Sequence, residues 1–278
     1  MALRLAPFLL IASLQNPSAE MQGRTTAQTQ YLGFTFAPGD CARSTADCTL
    51  RMPQEWTTTE LDLVRRAIDE IVDKPAGKDI VRRTQARGVR VLRRYNVGLT
   101  SNSEAVPAIV ASLRRSPAFI GIDVNDRFFA NGSNRDRFSG KPGYLLAAQL
   151  LLHECMHAVD EWSTKPEFVS LVGFVRTGER WRFAVKTPDE VTALVRFDKD
   201  LASFEKSGDW EAEWRINRTL ALGMRPVRVP TMQSIRSPAE AFAEVGSHLI
   251  LDQAARRYLP SDLVAYFDAN VFVGHAPQ

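Results

Sequence analysis

An apolar run that ends in two histidines and a glutamate is the strongest constraint on how this 278-residue chain folds. Positions 143–152 read GYLLAAQLLL, in which Gln149 is the one exception to an apolar pattern. A helix that is apolar on every side belongs in the interior of a protein. Positions 153–157 follow directly with the residues HECMH. Buried imidazoles and a buried carboxylate are costly without partners, so the sequence predicts a partner for all three.

The spacing within this stretch predicts a metal ion as that partner. His153 and His157 are four residues apart and therefore share one face of a helix. This H-E-x-x-H pattern suits Zn²⁺, which accepts nitrogen ligands and lowers the pKa of a water ligand towards ~7. Glu154 lies about 100° round the helix from His153, where it can accept a proton from water without binding the metal. The alternative is a core helix whose histidines bond to backbone carbonyl groups.

A catalytic zinc ion takes three protein ligands, and the sequence near the motif does not supply the third. The extended pattern H-E-x-x-H-x-x-G-x-x-H requires glycine at position 160 and histidine at position 163, but the chain has Asp160 and Ser163. The third ligand is therefore expected from another element. Asp160 lies on the same helix face as His153 and His157. It is expected either to contact a ligating imidazole or simply to end the helix.

The best source of a third ligand is the stretch SPAEAFAEVGSH, at positions 237–248. Ser237 is a suitable N-cap for a helix there. Glu240, Glu244 and His248 are four residues apart and lie on one face. We predict that Glu240 binds the metal and that Glu244 hydrogen-bonds a ligating imidazole. An exchange of these two roles, or an exposed acidic face on an amphipathic helix, remains open.

The N-terminus has the pattern of an export signal. Arg4 precedes the apolar run at positions 5–14, and Pro17-Ser18-Ala19 resembles a cleavage site. The run is shorter than the ~20 residues needed to span a bilayer. We therefore expect residues 1–19 to be a signal peptide and the mature protein to be secreted or periplasmic.

The three cysteines fit that compartment. Cys41 and Cys48 lie in a turn-rich stretch and are a possible disulfide, whereas Cys155 is expected to be a buried apolar residue and not a ligand. We expect residues 20–56 to form an N-terminal extension and residues 57–278 to form the catalytic domain. The formal net charge of +3 argues against nucleic acid or an anionic membrane as a required partner, and no stable membrane insertion is expected.

Periodicity predicts several elements around these motifs. The stretch Ala118 to Val124 is a candidate strand, either internal or able to pair with an extended peptide substrate. The remaining predictions are a helix over 56–73, a strand over 89–99, a short helix over 105–113, a mostly helical stretch over 189–222 and a helix over 237–259.

The sequences HECMHAVDEW and SPAEAFAEV resemble the catalytic domain of anthrax toxin lethal factor and its relatives, which include the Pro-Pro endopeptidases. The resemblance implies an α+β, zincin-like fold with a small mixed sheet, in which the active-site helix faces a second helix that carries glutamates. It also implies a zinc-dependent peptidase acting on a peptide or protein. His153, His157 and Glu240 would be the zinc ligands, Glu154 the general base and Glu244 the supporting acid.

The chain departs from that pattern in two respects. The stretch between the two motif helices is longer than in lethal factor, so Lys165 to Met232 is expected to include an insertion over the cleft. Relatives carry a tyrosine shortly before the glutamate ligand, but Gln233 and Arg236 occupy that stretch here. Arg236 or His248 is a candidate replacement as oxyanion donor. Two rival hypotheses are a non-catalytic binding module stabilised by zinc and a helical interaction protein with a chance motif.

Overall fold

A computed structural model describes residues 30–38, 51–53, 55–97, 111–116, 119–125, 128–129, 132–135, 143–207 and 210–274. These residues form an α+β structure with one mixed sheet, a separate two-stranded hairpin and nine α-helices. The predicted signal peptide and the predicted Cys41–Cys48 disulfide lie outside the described residues.

The mixed sheet combines two parallel pairs with antiparallel edges. Its strand order is β1-β2-β4-β6-β5, with β3 pairing with the far end of β4. The pairs β2–β4 and β4–β6 are parallel, and the other pairs are antiparallel. The strands are β1 (Gln30–Tyr31), β2 (Phe34–Pro38), β3 (Arg51–Pro53), β4 (Val91–Val97), β5 (Ala111–Ser116) and β6 (Phe119–Asn125).

Part of the predicted N-terminal extension belongs to this sheet. Strand β2 pairs with β4, and the side chains of Phe34 and Phe36 are buried in the main core. Strand β3 also pairs with β4. Residues 30–38 and 51–53 of the predicted N-terminal extension are therefore joined to the sheet of the predicted catalytic domain.

The structure decides between the two alternatives for Ala118 to Val124 and corrects a second prediction. The stretch matches β6, which has neighbours on both sides, so it is the internal strand and has no free edge for a substrate. Residues 111–113, predicted to end a short helix, belong instead to β5. Among the described strands β1 and β5 end the sheet, and β5 is the one that contacts Glu154, so β5 is the edge near the motif that a peptide could join.

The helices pack against one another and share the main core with the sheet. A short 3-10 helix precedes the second motif helix. Strands β7 (Phe174–Thr177) and β8 (Arg180–Phe183) form an antiparallel hairpin in the insertion. The α-helices are α1 (Thr58–Val72), α2 (Pro75–Ala86), α3 (Leu146–Val159), α4 (Pro166–Val172), α5 (Pro188–Ser207), α6 (Trp210–Gly223), α7 (Pro238–Leu251), α8 (Ala255–Tyr258) and α9 (Ser261–Asn270); the 3-10 helix is Met232–Ile235.

Helix α1 shows how local sequence signals produce the fold. Thr57 and Glu60 form a capping box, in which each side chain accepts a hydrogen bond from the backbone N–H of the other. Pro75 ends the predicted helix, but it also begins α2, because proline is favoured in the first turn of a helix. Gly77 permits the tight connection, since a Cβ atom there would lie 2.2 Å from the carbonyl oxygen of Ile71.

The two motif helices, α3 and α7, pack closely against each other in the core. A Cβ atom on Gly246 of α7 would lie 2.2 Å from Cε of Met156 on α3, so glycine is what permits this approach. The Nε2 atom of Gln149, the polar exception in the apolar run, donates a hydrogen bond of 2.8 Å to Oγ of Ser247. This packing brings the predicted ligand faces of the two helices together.

The predicted insertion folds around a small core of its own. Phe197, Ala221, Met224 and Val229 are buried together there with Met232, the first residue of the 3-10 helix. A buried ion pair, in which Nε of Arg228 lies 2.7 Å from Oε1 of Glu190, joins the same region. The insertion therefore fixes the segment that leads into α7. None of the described helices is long and apolar enough to cross a membrane.

Candidate metal centre

Three side chains from α3 and α7 direct their donor atoms at one point. The Nε2 atoms of His153 and His157 are 3.0 Å apart. Oε2 of Glu240 lies 3.3 Å from Nε2 of His153, and Oε1 of Glu240 lies 3.5 Å from Nε2 of His157. The donor atoms of these three residues lie within 4.8 Å of one another. Of the two predicted glutamates, Glu240 is the one beside both Nε2 atoms.

The sequence explains why these side chains meet. His153 and His157 lie one turn apart on α3, so their rings project from the same face. Glu240 lies in the first turn of α7, where Oγ of Ser237 accepts a hydrogen bond of 3.1 Å from the backbone N–H of Glu240. This cap fixes the start of α7 and with it the backbone that carries the carboxylate.

The spacing of the donor atoms fits a tetrahedral ion such as Zn²⁺. Ligands bound at about 2.0–2.1 Å in a tetrahedral site are separated from each other by about 3.3 Å. The three separations run from 3.0 to 3.5 Å, and the two that involve Glu240 use different oxygens of its carboxylate. Two imidazoles and one carboxylate also form a known ligand set of catalytic zinc, which leaves a fourth position for water or substrate.

The charges of the centre are strongly coupled. Burial alone would lower the pKa of His153, but hydrogen bonds to Glu240 and Glu244 outweigh it and raise that pKa well above its usual value. Burial alone would raise the pKa of Glu240, but hydrogen bonds and charge interactions with His153 and His157 lower it far more. The two imidazoles and the Glu240 carboxylate therefore interact electrostatically at one point.

Glu244 lies behind His153, on the side away from Glu240. Its Oε1 atom lies 2.9 Å from Nδ1 of His153, although the angle is poorer than in a standard hydrogen bond. Its Oε2 atom accepts a hydrogen bond of 2.9 Å from the hydroxyl group of Thr231. Burial opposes the charged form of Glu244, but His153 lowers its pKa overall. Glu244 is thus placed to orient an imidazole and not to bind the ion.

One carboxylate oxygen of Glu154 contacts the sheet. It is 8% exposed, and its Oε2 atom accepts a hydrogen bond of 2.6 Å from the backbone N–H of Leu113 on β5. Sequence reasoning missed this contact, because residues 105–113 were predicted to be helical and a backbone N–H has no signature in the side-chain pattern. The contact joins the proposed general base to the outer strand of the sheet.

Asp160 takes the simpler of its two predicted roles. Its Oδ1 atom accepts hydrogen bonds of 3.0 and 2.9 Å from the backbone N–H groups of Trp162 and Ser163. Asp160 therefore closes the turn that ends α3. Its other predicted role, contact with a ligating imidazole, stays a prediction.

The two predicted replacements for a tyrosine oxyanion donor lie in unsuitable places. His248 is completely buried behind Glu244, with Nδ1 2.8 Å from the carbonyl oxygen of that residue. Burial, followed by the positive charge of Arg218, lowers the pKa of His248. Arg236 is exposed at the end of the 3-10 helix, and no recorded side-chain contact in the described residues joins it to the centre. Instead, Nε2 of Gln233 donates a hydrogen bond of 3.1 Å to Oε2 of Glu240.

Comparisons with known proteins add no identification. No family model matches the chain, and no curated protein or solved structure matches it. The functional argument therefore depends on the residues of this chain.

Proposed function

We propose that this protein is a zinc-dependent metallopeptidase of the lethal factor type, exported from the cytoplasm. One observation carries the proposal: donor atoms of two imidazoles and a carboxylate lie within 4.8 Å of one another, while a separate glutamate lies next to them in sequence. A structural zinc site is usually closed by four protein ligands, whereas a hydrolytic site has three. The export itself is proposed from the N-terminal sequence pattern alone.

His153, His157 and Glu240 would hold the ion. Bound Zn²⁺ supplies Lewis acidity, which polarises a peptide carbonyl and makes a water molecule more acidic. Glu244, whose Oε1 atom lies 2.9 Å from Nδ1 of His153, would accept the Nδ1 proton and so direct Nε2 at the ion.

Glu154 would move the proton during hydrolysis. As the water oxygen bonds to the carbonyl carbon, Glu154 takes a proton from it and the carbonyl π electrons move onto the carbonyl oxygen. The oxyanion then re-forms the carbonyl group, the C–N bond breaks, and Glu154 gives its proton to the leaving nitrogen. The N–H of Leu113 holds one carboxylate oxygen, which restrains the direction of the other.

The direct test is Glu154→Gln, which preserves the shape of the side chain but removes the base. We expect the variant to bind zinc as the parent does and to lose about 10²–10⁴-fold in kcat/KM, the usual range for a general base. Peptide-library digestion with and without a chelator measures the activity, and elemental analysis measures the zinc. Equal cleavage by the variant and the parent would refute this mechanism.

A non-catalytic binding module stabilised by zinc is the second candidate. It is favoured by the contact between Glu154 and Leu113, which gives the glutamate a structural role that needs no hydrolysis. This candidate predicts bound zinc, no chelator-sensitive cleavage of any library peptide, and a lower melting temperature for Glu154→Gln.

A further inference from the structure

We propose that Gln233 is the hydrogen-bond donor to the oxyanion of the tetrahedral intermediate, an inference that rests on the proposed peptidase function. Attack on a peptide carbonyl concentrates negative charge on its oxygen, and a donor fixed in advance at that place lowers the barrier. The site therefore needs an N–H or O–H group beside the three ligand atoms but not bound to the general base.

Gln233 meets this requirement by position. Its Nε2 atom donates to Oε2 of Glu240 over 3.1 Å, and that same oxygen lies 3.3 Å from Nε2 of His153. The amide is thus separated from the centre by a single carboxylate oxygen. An amide nitrogen carries two protons. Within the described residues the second proton has no recorded partner, which leaves it available to a substrate.

The backbone that carries Gln233 is held on both sides. Met232 and Ser234 are completely buried in the 3-10 helix, whereas Gln233 is only partly buried. Thr231, just before this helix, donates its hydroxyl proton to Glu244, and Gln233 donates to Glu240. The segment is therefore tied to both glutamates of α7, as preorganised stabilisation of charge requires.

The other donors near the centre are already used. The N–H of Leu113 is bonded to Glu154, and the hydroxyl group of Thr231 is bonded to Glu244 on the Nδ1 side of His153. His248 is completely buried. Among the described side chains, Gln233 is therefore the donor whose contact lies on the Nε2 side, where the ion and the substrate carbonyl would meet.

Binding of two zinc-directed ligands tests this role without relying on hydrolysis. Phosphoryl-leucylalanine carries tetrahedral oxygens that resemble the intermediate, whereas mercaptoacetyl-leucylalanine binds zinc through sulfur and has no such oxygens. We expect Gln233→Ala to lower the affinity for the phosphoryl ligand about 10–100-fold. This loss is somewhat smaller than the fall in kcat that follows removal of an oxyanion donor. The affinities for the thiol ligand and for zinc are expected to change less than about threefold, as for an ordinary surface substitution.

Gln253→Ala is the matched control, because Gln253 is exposed and lies away from the 3-10 helix in sequence. The dissociation constants are measured by calorimetry on the zinc-loaded protein, and zinc affinity is measured by chelator competition. Equal weakening of both ligands, or a fall in zinc affinity, would show that Gln233 only positions Glu240 and would overturn the proposal. No change with either ligand would overturn it as well.

This experiment separates the two proposals. A parent protein that discriminates between the ligands through Gln233 but cleaves no library peptide would refute the peptidase function and leave Gln233 only as a donor to bound tetrahedral oxygens. A parent that cleaves peptides with Gln233→Ala unaffected in kcat and in ligand binding would retain the function and refute the donor.

Discussion

The helix pair α3–α7 and the strand β5 both supply groups to the candidate centre, but they supply different kinds of group. The helix pair contributes side chains, His153, His157 and Glu240, from two buried elements in close contact. Strand β5 contributes a backbone N–H, that of Leu113, which bonds to Glu154. A side-chain ligand depends on residue identity, whereas a backbone donor depends only on where the strand runs. We therefore expect substitutions of the three ligands to act through zinc and changes on β5 to act through the general base.

The largest effect expected on the helix side is a difference between the two glutamates. Glu240→Gln replaces a charged ligand, so we expect zinc affinity to fall by more than the 10–100-fold typical of a partner behind a ligand. Glu244→Gln should cost only that 10–100-fold range. Chelator competition on both variants measures the difference. A larger loss for Glu244→Gln would reverse the assigned roles.

A smaller effect is expected from removing the backbone donor on β5. Leu113→Pro deletes the N–H that bonds to Glu154, and proline is tolerated in an outer strand where its nitrogen faces away from the neighbouring strand. A hydrogen bond to a charged group contributes about 1.5–3 kcal/mol, so we expect kcat/KM to fall about tenfold with zinc affinity preserved.

Leu113→Ala is the matched control, since it shortens the side chain but keeps the N–H. Peptidase assays and chelator competition on both variants provide the measurements. Equal activity of the two variants would mean that the contact between β5 and Glu154 does not assist hydrolysis. Loss of zinc from Leu113→Pro would mean that β5 also supports the metal ligands.

The smallest effect is expected at Cys155, which lies within the motif but faces the core. The residue is completely buried, and burial raises the pKa of its thiol to about 12. A cysteine must lose its proton to bind a metal, so this thiol is a poor ligand near neutral pH. We expect Cys155→Ala to change zinc affinity by less than about twofold, within ordinary context effects. A tenfold loss of zinc affinity, measured by chelator competition, would contradict this and indicate that Cys155 is a ligand.

The parts of the structure that the sequence predicted are those with a local signature. The capping residue Thr57, the cap at Ser237 and the apolar runs of α3 and α7 all indicate helices within a few turns of chain. Gln149 stood out as a polar exception, and its bond to Ser247 explains the exception.

The parts that the sequence did not predict depend on distant neighbours. Nothing within residues 111–116 shows that they pair with β6 or that their outer side meets α3. The proline at position 75 is compatible both with the end of one helix and with the start of another. The sequence shows that Gln233 lies shortly before the predicted ligand Glu240. Only the fold of the insertion core places the Gln233 amide against Glu240.

The most direct test is anomalous diffraction at the zinc absorption edge from a zinc-loaded crystal. We predict one peak at about 2.0–2.2 Å from Nε2 of His153, Nε2 of His157 and a carboxylate oxygen of Glu240, with Glu244 bonded to Nδ1 of His153. The account would be contradicted by a crystal in which zinc is absent from this point, or in which the Glu244 carboxylate binds the ion and Glu240 does not.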